Sequence, residues 1–133
     1  MPVRGIRGAT IAAGNTVEDI ISASYELLQT IVDANALQPA DVASIFFTTT
    51  PDLTAIQPAR AVRDLGWDDT AILCAIEMDA SDALPRCVRV LIHWNTDKTI
   101  EEVHHVYLHE AARLRPDRAY PGVRKTPQTT GEG

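Results

Sequence analysis

Lysine is nearly missing from this chain: of its 12 lysine and arginine residues only Lys98 and Lys125 are lysines. The 133 residues carry a formal net charge of -6. That balance excludes the broad basic surface needed for non-specific nucleic-acid binding. Arginine dominance in an acidic chain instead fits focused recognition of a small anion, because a guanidinium grips carboxylate or phosphate through two parallel hydrogen bonds. Cysteine is scarce as well. Cys74 and Cys87 are not in C-x-x-C spacing and give no disulfide framework. No apolar run approaches a membrane span and no secretory leader pattern precedes Val3, so the expectation is a cytoplasmic protein with no membrane partner. G-x-S-x-G, a phosphate loop, G-x-G-x-x-G and internal repeats are all missing.

What is present reads as one globular domain. The hydrophobic fraction of 45% and charged fraction of 23% are ordinary for a chain long enough to build a core. From Pro116 the composition turns to Pro, Gly, Thr and charge. Residues 119–133 read as a mobile tail, which leaves residues 1–118 as the domain.

Arg89 is the most informative residue. The run Cys87 to Trp94 is β-branched, apolar, short and without helix caps, and reads as a strand. Alternation places Cys87, Arg89, Leu91 and His93 on one face and Val88, Val90, Ile92 and Trp94 on the other. A permanent charge in mid-strand is costly unless an anion meets it. No acid lies between Ala83 and Thr96, so the anion is either a carboxylate from elsewhere in the fold or a ligand. The N-terminal run Val3 to Thr10 repeats the pattern, with Arg4 and Arg7 and no acid before Glu18. Gly5 and Ala9 share the face of Arg7 and leave room above the strand for a small dianion. The plainer alternative is an edge strand whose arginines face water.

The rest of the chain reads as mixed α/β, a sheet with one long helix and short helices. The first strand runs from Val3 to Ile11. Thr16 caps an amphipathic helix to about Asn35, with Glu18 and Asp19 in its first turn. Pro39 and Asp41 mark a short turn. Ile45 to Thr50 is a second strand, broken by Pro51-Asp52. Ala59 to Leu65 form a short helix stopped by Gly66. Strands follow at Thr70 to Ala75, Cys87 to Trp94 and Val103 to Leu108, then a helical turn at Glu110 to Arg113. One long helix cannot cover both faces of such a sheet, so a homo-oligomer with sites at subunit seams is expected.

The remaining polar residues complete a set without a nucleophile. Glu77, just past the third strand, suits a ligand hydroxyl, or is a solvated loop acid. Tyr107 has a phenol to donate, or packs with a wet tip. Arg115 is a second clamp or a surface charge. His105 and His109 are spaced for zinc on a helix, but Val103 and Val106 favour a strand there, and no metal is expected. Neither cysteine has a base nearby in sequence. Arginines, one acid and one phenol bind a dianion and stabilise charge; they do not make a covalent catalyst.

Arg4-Gly-Ile-Arg-Gly-Ala-Thr10, Thr50-Pro-Asp-Leu-Thr-Ala55, Pro58-Ala59, Ala61-Val-Arg63, Cys74 with Glu77-Met-Asp79, Cys87-Val-Arg89-Val90, His105-Val-Tyr-Leu108 and Leu114-Arg-Pro-Asp117 together resemble the monofunctional AroH-type chorismate mutases. The likeness runs from Val3 to Asp117 in matching order and spacing. It implies a homotrimer built as a pseudo-α/β-barrel, with active sites between subunits. It implies conversion of chorismate to prephenate without cofactor or metal, on the route to phenylalanine and tyrosine. It places Arg89 at the ether oxygen and a carboxylate, Arg7 and Tyr107 at the side-chain carboxylate, and Glu77 with the Cys74 backbone at the ring hydroxyl. Arg63 and Arg115 are implied at the mouth, with Gln57, Arg60 and Leu114 beside them. Two positions depart from the family pattern: Gln57 stands where Phe is common, and Arg60 where Lys is frequent. Gln57 cannot supply the same apolar wall, which keeps open a non-catalytic trimeric anion-binding or regulatory protein on this scaffold. A small trimeric hydrolase, with Glu77 as the base for water, is a further alternative.

Overall fold

The computed structural model describes residues 1–80 and 83–116; the expected tail at 119–133 and the last residues of the expected domain lie outside the described residues. The strands are β1 (Val3–Ile11), β2 (Val42–Thr49), β3 (Ala71–Ile76), β4 (Cys87–Asn95) and β5 (Val106–Tyr107); the helices are α1 (Val17–Asn35) and α2 (Arg60–Asp64). Single 3₁₀ turns occur at Pro39–Asp41, Ile100–Glu102 and His109–Arg113. The sheet has the order β3-β2-β4-β1-β5. β4 runs antiparallel to both β1 and β2, whereas β2–β3 and β1–β5 are parallel pairs.

α1 begins where its sequence requires. The Thr16 hydroxyl accepts the Asp19 amide at 3.0 Å, and Glu18 and Asp19 sit in the positive first turn. Ala36, at φ 55°, ends the helix in the left-handed region. The periodic residues Ile20, Leu27, Leu28 and Ile31 are fully buried, against Ile6, Val88, Val90 and Ile92 of the sheet. Alternation along β4 is therefore as expected: its aliphatic face and Trp94 enter the core, and Arg89 is on the other side.

At Gly8 a side chain of α1 packs close against the sheet. A Cβ there would stand 2.8 Å from Ile31 Cδ1 and 3.1 Å from the Val106 carbonyl. Gly8→Ala is expected to lower stability by about 1–3 kcal/mol through overpacking. Ser24 provides the opposite sign. Its hydroxyl is buried with no hydrogen-bond partner among the described residues. Ser24→Ala removes that unpaired group and should raise stability by about 1 kcal/mol. Urea midpoints of the two variants test both signs.

Two elements differ from expectation. β5 is only Val106–Tyr107, not a strand from Val103. The Asn35 side chain takes the backbone of His104: its amide nitrogen donates to His104 O at 2.9 Å and its oxygen accepts His104 N at 2.9 Å. Val103 N bonds back to Ile100 O. The strand begins only after these bonds release the chain. β2 starts earlier, at Val42, and ends before Thr50. There the Thr50 hydroxyl donates to Asp52 and accepts Cys87 N at 2.9 Å, turning the chain out of the ladder.

α1 covers one face of the sheet. On the other, Val3, Phe46, Leu73 and Leu91 are exposed, Leu73 by 60%.

Candidate active site

Sheet register assembles the site on the uncovered face. Strand partners form a row Ala75–Thr48–Arg89–Ala9–Tyr107 across β3, β2, β4, β1 and β5. The next row is Leu73–Phe46–Leu91–Arg7. Neighbouring strands lie about 4.8 Å apart, so Arg89 and Tyr107 are about 10 Å apart at the backbone. Between them stands Ala9, which is fully buried in a cluster with Cys87, Tyr107 and Ala111, so the room expected above it from sequence is taken up by these neighbours. Arg89 thus occupies the centre of the row, with a phenol on one side and a hydroxyl on the other.

Glu77 comes in from the end of β3. Its amide donates to Thr49 O at 2.8 Å, extending the parallel ladder by one residue. Its carboxylate accepts the Thr48 hydroxyl at 2.5 Å. That bond aims Oε1 toward Arg89, whose Nε is 3.9 Å away. The distant carboxylate considered from sequence therefore exists. It is too far for a direct hydrogen bond, and the side chains are 44% and 27% exposed. Such a contact contributes on the order of 0–1 kcal/mol. It orients the guanidinium without consuming its donors.

Arg7, Glu77, Arg89 and Tyr107 line one cavity of about 310 Å³, with Phe46 and Leu91 forming part of its apolar wall. The volume suits a small molecule. A larger groove of about 760 Å³ between α1 and α2 has a mixed lining that includes Glu18, Glu26, Arg60 and Asp64. The smaller cavity carries the arginine–carboxylate–phenol set.

The remaining expected residues are elsewhere. Cys74 and Gln57 line a separate cavity of about 260 Å³ beside Pro58 and Ile76. Arg60 faces Asp64 at 3.9 Å along α2, and Arg63 is exposed on the same helix. Leu114 packs on the cluster of Ala9, Cys87, Tyr107 and Ala111, and Arg115 follows it, half-buried. Sequence reasoning missed Thr48 altogether. It is one of three consecutive threonines, and only the register singles it out.

The other chemistries weighed from sequence find different environments. His105 accepts the Arg7 amide on Nδ1 at 2.9 Å, while His109 meets Glu26 at 3.0 Å. The two imidazoles are thus committed to separate partners. Burial pushes the Cys87 thiol up to about 11, far from a thiolate at neutral pH. Burial raises the Cys74 thiol as well.

Fold and site together define a protein with a mixed five-stranded sheet and a small cavity lined by Arg7, Arg89, Glu77 and Tyr107. The chain belongs to the chorismate mutase type I family, whose model matches residues 3–118. It is similar to chorismate mutase AroH of Bacillus subtilis (strain 168), 42% identical over 118 residues, covering 88% of this chain and 93% of the relative. Chorismate mutase AroH of Thermus thermophilus is 47% identical over 116 residues, covering 86% of this chain and 95% of that one. Among solved structures, a chorismate mutase from Clostridium thermocellum superposes with a TM-score of 0.82 at 42% identity, covering 84% of this chain and 99% of that chain.

Proposed function

We propose that this enzyme converts chorismate to prephenate by an intramolecular [3,3] rearrangement, within aromatic amino-acid biosynthesis. One C–O bond breaks as one C–C bond forms, and no proton changes place. The observation that carries the reading is Arg89 in mid-row, flanked by Glu77 and Tyr107 with Arg7 in the same cavity. As the ether C–O bond lengthens ahead of C–C closure, negative charge grows on the ether oxygen. A guanidinium already fixed beside that oxygen stabilises the charge without reorganising. Holding both carboxylates forces the compact, chair-like conformer in which the reacting carbons meet. Arg7 and Tyr107 grip the side-chain carboxylate, and Glu77, set by Thr48, accepts the ring hydroxyl.

The separation of the other residues supports a shared site. Gln57, Arg60, Arg63 and Cys74 lie away from the Arg89 cavity of their own chain, and the cavity's face is the apolar one that α1 leaves uncovered. In this reading a homotrimer covers that face, and each subunit lends its α2 and β3 side to its neighbour's arginines. Cys74 then gives its backbone to the ring hydroxyl, and Arg63 and Arg115 meet the ring carboxylate at the mouth. A polar Gln57 makes a wetter entrance there. The named relatives favour turnover over the non-catalytic reading. No helix among the described residues is long and apolar enough to cross a membrane, and the cytoplasm is the compartment this biosynthetic role implies.

The direct test is loss of chorismate absorbance with prephenate formation by purified protein, without metal or nucleotide. Because no proton transfer is involved, kcat should stay nearly flat through neutral pH, and a chelator should leave it unchanged. A bell-shaped kcat profile centred near neutrality would point to acid–base work by Glu77 instead. Activity lost to a chelator and restored by zinc would contradict the metal-free mechanism.

A further inference from the structure

We propose that His109 is a positioning residue: its imidazole, held to Glu26 of α1, latches the segment from Tyr107 to Arg115 against the body of the chain and thereby sets how tightly the site grips its substrate. The inference rests on the chorismate reading for the identity of that substrate and deepens it.

The backbone gives the first reason. His109 adopts φ 56° two residues after Tyr107, a left-handed conformation that a residue with a Cβ avoids unless its surroundings impose it. The side chain gives the second. Nε2 lies 3.0 Å from Glu26 Oε1, and the two groups are only 29% and 28% exposed. Burial lowers the affinity of this imidazole for a second proton, and with a proton on Nε2 the ring donates to the carboxylate. The anchor is rigid, because Glu26 stands beside Leu27 and Leu28, both fully buried in the core.

What the latch holds is the substrate-gripping part of the chain. Leu108 N donates to Ala9 O at 2.9 Å, and Ala9 separates Arg89 from Tyr107 in the row. Ala111 is fully buried, and Leu114 packs on the cluster that contains Tyr107 and Ala9. The chain reaches Arg115 one residue later. Releasing His109 therefore loosens Tyr107 and Arg115 together, while β4 holds Arg89 in place. Since Arg89, which stabilises the negative charge that grows on the ether oxygen, stays in place, the loss falls mainly on binding.

The experiment compares wild type with Glu26→Ala, His109→Asn, the double variant and Glu26→Gln. Asparagine tolerates the left-handed backbone but is too short to reach Glu26, and glutamine at 26 keeps an acceptor for the imidazole. KM for chorismate should rise about 3–10-fold in each broken single variant, with kcat within about twofold, as expected for one hydrogen bond lost from a positioning element. The double variant should be no worse than the worse single one, and Glu26→Gln should stay near wild type. Amide hydrogen exchange at residues 107–115 should quicken to the same extent in Glu26→Ala, His109→Asn and the double variant. Unchanged KM and exchange, or strictly additive effects, would overturn the latch. If wild type fails to turn over chorismate while exchange still rises in this coupled manner, the latch stands and the substrate assignment falls.

Discussion

Arg89→Gln should turn over chorismate at least ~100-fold more slowly than wild type while remaining folded and assembled. Glutamine keeps hydrogen-bond donors and much of the length but removes the charge. Removing a preorganised donor at a developing anion costs about 3–4 kcal/mol in comparable cases, and about 1.4 kcal/mol is tenfold in rate. Here a full positive charge goes, so the estimate is a lower bound. The fold should tolerate the change, because Arg89 lies on the open face and its contact with Glu77 is long and half-exposed. Arg89→Lys should fall between the two, since it restores charge without the planar fork. The checks are kcat under saturating chorismate and elution volume on a sizing column. A folded Arg89→Gln variant with near-normal kcat would remove electrostatic stabilisation from the mechanism.

Mixing two crippled variants should restore activity only for certain pairs. Arg7 and Arg89 line the same cavity of one chain. Subunits altered at Arg7 and subunits altered at Arg89 therefore never complete a site together. Arg63 stands on α2, away from that cavity. In a trimer that pairs the Arg89 side of one subunit with the α2 side of the next, an Arg89→Gln and Arg63→Glu mixture behaves differently. With equal amounts and free reassembly, about a quarter of the seams receive both intact residues. Activity should then rise many-fold above the Arg89→Gln parent and exceed the mean of the two parents. The protein should elute near three times 14.5 kDa. A fully active monomer, or recovery from the Arg7 and Arg89 pair, would contradict this arrangement of the site.

Much of the architecture was legible because its signals are local. Thr16 caps α1 by accepting the Asp19 amide, the acids after it suit the positive end of the helix, and the alternation of β4 gives its faces without knowledge of its neighbours. Arg89 stood out because a charge in an aliphatic strand calls for an explanation. Register is different. That Ala9 separates Arg89 from Tyr107, and that Thr48 is the threonine that orients Glu77, depends on which strands pair and with what offset. Alternation tells which face a residue occupies but not which residue lies beside it. The late start of β5 depends on Asn35, 69 residues away from His104. The division of the expected site residues among separate cavities is likewise a property of the folded sheet and has no signature in the linear pattern.

β4 has a consequence for the evolution of this site. Arg89 sits on an interior strand paired with β1 from Cys87 to Asn95 and with β2 from Val88 to Trp94, and Val88 and Val90 beside it are buried. A slip of one residue would turn the guanidinium into the core and lift a valine into the cavity. No half-built version of the charge centre exists, so small backbone drift has no gradual route to altered chemistry. The α2 residues carry no such constraint: Arg60 and Arg63 are exposed on a short helix. Variation in preference for substrate should accumulate there, while the charge centre persists or is lost together with the sheet.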